Sequence, residues 1–384
     1  MKRGFLLVAA VFSSSYLQAQ QDSSSSTLLD QVIVTANKLP QKQNSTGKII
    51  TVISKEQLEK SNGKTIAQVL NEQAGIVVNG ALNNAGTNQS LYLRGAATGR
   101  TLILLDGIPV YDPSLINNEF DLNQLAIAQV ERIEICKGAQ STLYGSEAVA
   151  GVINIITTKS TIEQPLQLQA SVTAGNYSTL KTHLQVFGKI KRFSYTASYS
   201  TAKTKGFSTA TDTTGQAGFD RDGFNSSHLA ATFNYAITPQ LTAKTFIQQN
   251  RTSTAIDAGA FTDSKDYRIK NNGILTGAGL TYKSAGITVT GNYQYSENNR
   301  NILDDSTDQP GTLFRGAYFG QSQFVELVAR IQLNPHVSLI QGGDYRHSSM
   351  NLYNFGTYPA SEWGPAGTYS SALDSSISQS SLFS

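Results

Sequence analysis

The stretch ITVTGNYQYS, Ile287 to Ser296, sets the reading of the fold. Ile287, Val289, Gly291, Tyr293 and Tyr295 fall on one side of an extended chain, and Thr288, Thr290, Asn292, Gln294 and Ser296 on the other. That period of two is what a β-strand imposes. Phe193, Tyr195, Ala197 and Tyr199 alternate in the same way with Ser194, Thr196, Ser198 and Ser200. A sandwich that buries its apolar face would show the same pattern, so alternation leaves two architectures open. Segments near ten residues long, repeated as hairpins and poor in long hydrophobes on the second face, favour an antiparallel barrel with a polar lumen and a lipid-facing exterior. Short connections such as Gly188-Lys189 and Ser284-Ala285-Gly286 alternate with long polar ones, Gly206 to Gly223 and Ala258 to Asn272. Short turns at one end and long loops at the other suit a barrel that spans a membrane. About ten strand candidates follow Gln164, and the last, Ser376 to Ser384, stops in mid-pattern. The chain is therefore expected to end before its barrel closes, since an open edge in lipid leaves backbone groups unsatisfied.

Upstream the pattern changes. Met1, Lys2 and Arg3, the apolar run Phe5 to Phe12 and the small Ala19 describe a secretory signal peptide over 1–19, with the mature chain starting near Gln20. Residues 20–47 read as a polar, flexible segment interrupted by Asp30-Gln31-Val32-Ile33-Val34-Thr35-Ala36. From 48 to 160 the pattern is mixed α/β. Ile49 to Ile53, Thr101 to Leu105 and Val130 to Cys136 read as buried strands, and a short helix is led by Asp121. Ser54 with Gln57, and Thr65 with Gln68, are capping boxes that open helices. Ile66, Val69 and Leu70 give the second helix its apolar face, and Gly75 can end it.

Several function classes find little support. No apolar run approaches the roughly 18 residues of a membrane helix. The single cysteine, Cys136, excludes an internal disulfide and a cysteine-cluster metal site, and its apolar neighbours mark it as a small buried hydrophobe. His183, His228, His336 and His347 lie far apart, and a net charge of +3 without a basic cluster does not imply nucleic acid. Gly63-Lys64-Thr65 precedes a helix as the end of a P-loop does, but Leu58 stands where the first glycine belongs. No Ser/His/Asp spacing supports a hydrolase, so the chain is not read as an enzyme.

A compact α/β domain ahead of a polar-lumen barrel, with a short strand-like patch ahead of both, resembles the TonB-dependent outer-membrane receptors of Gram-negative bacteria. Residues 30–36 resemble the TonB box of that family. Leu93-Arg94-Gly95, Leu104 to Val110, Val130 to Glu134 with Lys137-Gly138, Leu143-Tyr144-Gly145 and Gly151 to Thr157 resemble, in order, the signatures of its plug. Ala139 departs from the family, which commonly has proline there. Within the family the chain is most similar to the cobalamin transporters, through the compact plug and through Lys205-Gly206-Phe207, Phe219 to Phe224, Thr245-Phe246-Ile247 and Asn250-Arg251-Thr252. The resemblance implies a plug followed by a barrel of about 22 strands in the family, of which residues 161–384 are the first part.

It also implies a function. A stopper closes the lumen, a box recruits TonB with ExbB and ExbD, and a scarce small molecule, cobalamin or else a ferric siderophore or haem, is imported. No cofactor is required by that activity, although acidic loop residues in the cobalamin group bind calcium; Asp220 and Asp222 match one such loop, with Asp212 and Asp257 as further partners. Calcium needs several converging carboxylates, whereas aspartate beside glycine is otherwise a turn former. Cargo is expected at the outer apices of the plug, on Asn79, Asn83, Asn84, Asn88, Gln89, Tyr111, Asp112, Asn117 and Asn118. Arg94 is expected to pair with a barrel acid, Glu326 being one candidate, because a charge beside an apolar strand needs a partner. Gly138, Ala139, Ser141, Gly145, Ala148, Ala150 and Gly151 are expected to keep the plug thin where it lies against the barrel wall. A passive porin, an adhesin or a secreted hydrolase are the rival classes; none of them uses a box.

Overall fold

The computed structural model describes residues 33–34, 38, 41–42, 47–157, 163–215, 218–305, 312–334, 337–361 and 364–383, with 33, 34, 41, 42 and 116 described by backbone alone. The expected signal peptide and Asp30, Gln31, Val32, Thr35 and Ala36 lie outside these residues. Ile33–Val34 (β1) pairs antiparallel with Gln41–Lys42 (β2), so the apolar patch folds back on the chain that follows it.

The α/β domain is built on a five-stranded sheet. Ile49–Ile53 (β3), Thr101–Leu105 (β6), Ile108–Pro109 (β7), Arg132–Lys137 (β8) and Gly151–Ile156 (β9) lie in the order β3-β8-β9-β6-β7. Only β6 and β9 run parallel, and β9 is buried at every residue, as a strand covered on both faces should be. Ile76–Asn79 (β4) and Ser90–Leu93 (β5) form a separate hairpin. Both capping boxes form: Ser54 opens Lys55–Lys60 (α1) and Thr65 opens Ile66–Asn71 (α2), each with the reciprocal glutamine bond. The helix expected after Asp121 is a 3-10 turn, Leu122–Gln124, capped by the Asp121 carboxylate on Asn123 N at 2.9 Å.

The second unit is a ten-stranded antiparallel sheet in sequential order. It comprises Gln167–Gly175 (β10), Thr179–Ile190 (β11), Phe193–Thr204 (β12), Phe224–Ala236 (β13), Leu241–Ala255 (β14), Arg268–Ser284 (β15), Ile287–Asp304 (β16), Leu313–Asn334 (β17), Val337–Tyr358 (β18) and Gly367–Phe383 (β19). Among the described residues β10 and β19 are its two ends and do not pair with each other. Tight turns at one rim and long loops at the other appear as expected, with two shifts. Gly188 and Lys189 belong to β11, and the turn is Lys191-Arg192, with Lys191 at φ 55°. The loop after β14 ends at Tyr267, so Arg268 to Asn272 are strand.

Where the sheet faces the inner domain, the alternation sorts its side chains by burial, whereas β19 at the open end is exposed on both faces over most of its length. Glu326, Gln294, Phe246 and His228 point inward and are buried, whereas Val325, Tyr293, Ile247 and Leu229 point outward and are exposed. Inward Phe246, Leu275 and Phe324 join the core of the α/β domain, which packs inside the curved sheet. Among the described residues no helix is long and apolar enough to cross a membrane, which leaves crossing by strands untouched.

Candidate functional site at the domain and barrel interface

The sheet holds the inner domain mainly by charge and hydrogen bonds. Arg300 on β16 reaches Asp112 Oδ2 at 3.3 Å and Asp121 Oδ2 at 3.4 Å. Asp112 is wholly buried, and it also accepts from Ser114 N at 3.0 Å, from Ser114 Oγ and from Gln124 Nε2 at 3.1 Å. Burial pushes the Asp112 carboxyl above its usual range, against the pull of the Arg300 guanidinium and the Ser114 donors. Arg346 on β18 donates to both Glu147 oxygens, at 2.8 and 2.7 Å, and stacks on the Tyr111 ring at 3.8 Å. A bidentate arginine fixes orientation as well as distance, and here it locks the loop between Tyr144 and β9 to the wall. Gln294 Nε2 donates to Pro109 O at 2.8 Å, Gln129 Nε2 to Ser198 Oγ at 3.2 Å and Asn250 Nδ2 to Gln124 Oε1 at 3.3 Å.

A further ion pair ties down the N-terminal segment. Lys38 Nζ lies 2.6 Å from Glu326 Oε1, with the two side chains 4% and 5% exposed. Its backbone amide donates to the Tyr144 hydroxyl at 3.1 Å, its ammonium sits 3.9 Å from the centre of the Phe383 ring, and Asn292 Nδ2 holds the second Glu326 oxygen at 3.3 Å. The sequence suggested Glu326 as a partner for Arg94. Arg94 is instead exposed, at φ 52°, and forms none of the ion pairs among the described residues. A lone lysine after the box carried no signal in the sequence.

The expected cargo residues divide. Asn79, Asn83, Asn88 and Asn117 are exposed, and Asn118 is half-buried. Asn84 is buried and used internally, its amide donating to Phe207 O and its Oδ1 accepting from Phe207 N at 3.2 Å. Gln89 donates to Asn123 Oδ1 at 3.3 Å. Tyr111 and Asp112 are corrections: both are buried under barrel arginines and present nothing to the outside. The Asn84 clasp brings the loop after β12 onto the apex, where Phe207 packs on Tyr177 with ring centres 5.3 Å apart. Below it lies a cavity of about 310 Å³ between the domain and the sheet, reached by Asn83, Lys181, His183, Phe207 and His228. Lys181 Nζ donates to Gly63 O at 2.8 Å and Lys64 O at 3.3 Å, so this turn offers carbonyls where a phosphate cradle would offer amides.

The acidic loops converge in part. Oxygens of Asp220, Asp257 and Asp263 lie within 4.8 Å of one another. Asp222 and Asp257 share Thr209 Oγ1, which lies 3.0 Å from an oxygen of each and has one proton to donate between them, and Asp222 Oδ1 is buried without a hydrogen bond. Burial and the Asp257 charge push Asp222 up to about 6, despite Thr209 N donating at 2.8 Å. Burial also acts on Asp257, but donors from Ala210 N, Ser264 N, Ser208 Oγ and Thr209 Oγ1 outweigh it and leave that carboxyl below the usual range. Asp263 was missed by the sequence reading. Asp212 stands apart, its Oδ1 accepting from Thr214 N and Gly215 N at 2.9 Å in a turn of its own loop.

Known proteins fit this arrangement. Residues 42–152 match the TonB-dependent Receptor Plug Domain. The inner domain is a plug of the TonB-dependent receptors. Residues 220–364 match the outer membrane beta-barrel porin family MtrB/PioB, and the strands β10 to β19 are those of a Gram-negative outer-membrane barrel. The vitamin B12 transporter BtuB of Vibrio cholerae serotype O1 is 34% identical over 168 residues, 43% of this chain and 26% of that protein. BtuB of Vibrio vulnificus is 26% identical over 343 residues, 88% of this chain and 52% of that protein. In fold, the plug and barrel resemble BauA, the ferric preacinetobactin receptor of Acinetobacter baumannii (TM-score 0.70, 14% identity, 91% of this chain and 56% of that one). The ferripyoverdine receptor of Pseudomonas aeruginosa is similar (TM-score 0.67, 15% identity, 91% and 51%). The chain spans between a quarter and about half of the curated relatives it matches.

The small-residue run 138–151 also needs correcting. A side chain at Gly151 would collide with Cys136 O and Leu93 Cδ2 at close to 2.5 Å, both inside the plug, and Ala148 is buried in the plug's own core. Nothing crowds Gly138 or Gly145, which turn the chain at φ 106° and 80°. Contact outside the plug's own sheet falls to the larger residues of the run: Tyr144 with Lys38, and Glu147 with Arg346.

Proposed function

We propose that the protein containing this chain is a TonB-dependent transporter that takes cobalamin from outside the cell and imports it through TonB-driven rearrangement of the plug. The observation that carries this reading is the Lys38–Glu326 ion pair, which ties the segment bearing Gln31 to Ala36 to the barrel wall beneath a lumen filled by the plug. A stopper prevents leakage, and a tether keeps the box from its partner until something releases it. TonB, energised by ExbB and ExbD, then adds as a strand to the box, whose backbone supplies the hydrogen bonds once Ile33–Val34 has parted from Gln41–Lys42. Cargo acts by binding one arrangement of the apex better than the other, since a ligand shifts an equilibrium only through differential affinity. Cobalamin is favoured over other cargo by the BtuB relatives, one of which aligns over 88% of this chain. Ferric siderophores are the second reading, favoured by the receptors whose folds match.

Calcium suits the outer loops. Asp220, Asp257 and Asp263, with Asp222 beside them, supply the converging oxygens that the ion prefers. Bound there, it would offset their mutual repulsion and hold the loops after β12 and β14 together over the apex. The test is equilibrium binding to the full-length protein, comparing cobalamin with ferric chelates, with calcium and with a chelator. Tight cobalamin binding that weakens on calcium removal is expected; binding of ferric chelates alone would replace cobalamin as cargo.

A further inference from the structure

The outward face of the sheet carries a groove that neither plug nor lumen uses. It runs across β13 to β17 near the rim with the short turns and encloses about 700 Å³. Phe233 and Tyr235 wall one side, and Tyr293 and Leu327 the other; all four are exposed. Its floor is Ala243 and Gly291, which the register sets on either side of Leu280, with Leu327 next in the row. Phe193 stacks on Phe233 with centres 6.0 Å apart and planes at 11°, so the aromatic wall is already ordered.

Gly291 is the informative residue. Glycine in mid-strand weakens the strand and often marks a close approach from outside. Nothing in the chain demands it: its φ is not positive, and an added Cβ would meet Leu327 Cδ1 at 3.7 Å and Glu326 O at 4.0 Å, both ordinary contacts. The missing side chain leaves a trough open to the bilayer, continuous with the lipid-facing band.

The rim beside the trough is basic. Segments 188–194, 236–242 and 282–288 contain Lys189, Lys191, Arg192 and Lys283 and no acid. All four are exposed, and none forms an ion pair among the described residues. Arg192 Nη1 donates to Ile237 O at 3.3 Å, which sets that guanidinium beside the end of the Tyr235 strand. From this rim to Gly291 is four residues of β16, about 13 Å of strand.

We infer that the groove is a binding site for one glycerophospholipid of the inner leaflet of the outer membrane, an acyl chain lying in the Ala243–Gly291 trough and the phosphate meeting Arg192 and Lys191. An apolar trough that ends at a cationic rim matches a molecule with an apolar tail and an anionic head.

The test is native mass spectrometry of the full-length protein, extracted in mild detergent, stripped of lipid and mixed with vesicles of palmitoyl-oleoyl phosphatidylglycerol. One retained phospholipid is expected. Gly291→Trp, which fills the trough, should lower retention about tenfold, the equivalent of two methylenes of lost burial. Ala243→Phe should do the same and serves if the first variant assembles poorly, with assembly read from heat-modifiable gel migration. Lys191→Gln with Arg192→Gln should reduce retention of phosphatidylglycerol while leaving assembly intact. Undiminished retention in assembled Gly291→Trp and Ala243→Phe would overturn the site, as would equal loss in Ala317→Trp, a control on the same face toward the opposite rim. Retention of lipopolysaccharide alone would overturn the assignment to the inner leaflet.

Discussion

Replacing Glu326 by glutamine should release the N-terminal segment from the barrel wall. The parent pair is separated by 2.6 Å with both side chains about nineteen-twentieths buried. Removing one charge of a buried pair costs about 3–5 kcal/mol, because the remaining charge is left desolvated. Lys38 is not bound to bear that cost: it can move into water, giving up its amide bond to the Tyr144 hydroxyl and its stacking on Phe383. The docked arrangement therefore loses most of its advantage. At about 1.4 kcal/mol per factor of ten, the ratio of docked to released segment should fall by roughly 100-fold or more. A nitroxide at Val34→Cys, in a Cys136→Ala background that removes the only native thiol, reports the change as a sharpened spectrum. The paired substitution Lys38→Met with Glu326→Leu should restore the broad spectrum, since an apolar pair of similar volume can replace a buried ion pair without loss. A label as immobile in Glu326→Gln as in the parent would refute the tether.

Three other outcomes follow from the same contacts. Arg300→Met leaves the wholly buried Asp112 without its cation. Protonation of Asp112 absorbs part of the cost, so plug seating should weaken by up to about 3 kcal/mol, seen as ion conductance at lower urea in planar bilayers. The Asp222 carboxyl sits at about 6, above the ordinary 3.8, so the fold favours its protonated form. Its contribution is complete below about pH 4 and is lost as the pH rises through 6; with a chelator present, hydrogen exchange in 205–223 should accelerate from pH 5 to 7, and calcium should reverse this. Ile33→Pro removes a backbone donor from the box, and it should abolish uptake while leaving cargo affinity unchanged.

Much of the architecture was legible because its signals are local. Period-two alternation placed the sheet and told its inner from its outer face, and Ser54, Gln57, Thr65 and Gln68 announced their helices because a capping box closes within four residues. Turn positions slipped where glycine misled: Gly188 is strand, and the non-glycine Lys191 takes the positive φ. The cargo apex was half legible. Polar residues in loops look alike in sequence, and only packing separates exposed Asn83 from Asn84, which is spent on the Phe207 backbone.

The sequence by itself determined the two domains, the strand count and the facing of side chains, because the alternation of a strand needs only neighbouring residues. The tertiary structure decided which charges meet. Lys38 and Glu326 lie 288 positions apart, and Asp112 and Arg300 lie 188 apart. No local pattern encodes such pairs; they exist because seating the plug inside the sheet removes water from both partners, and a buried charge then has to find its opposite.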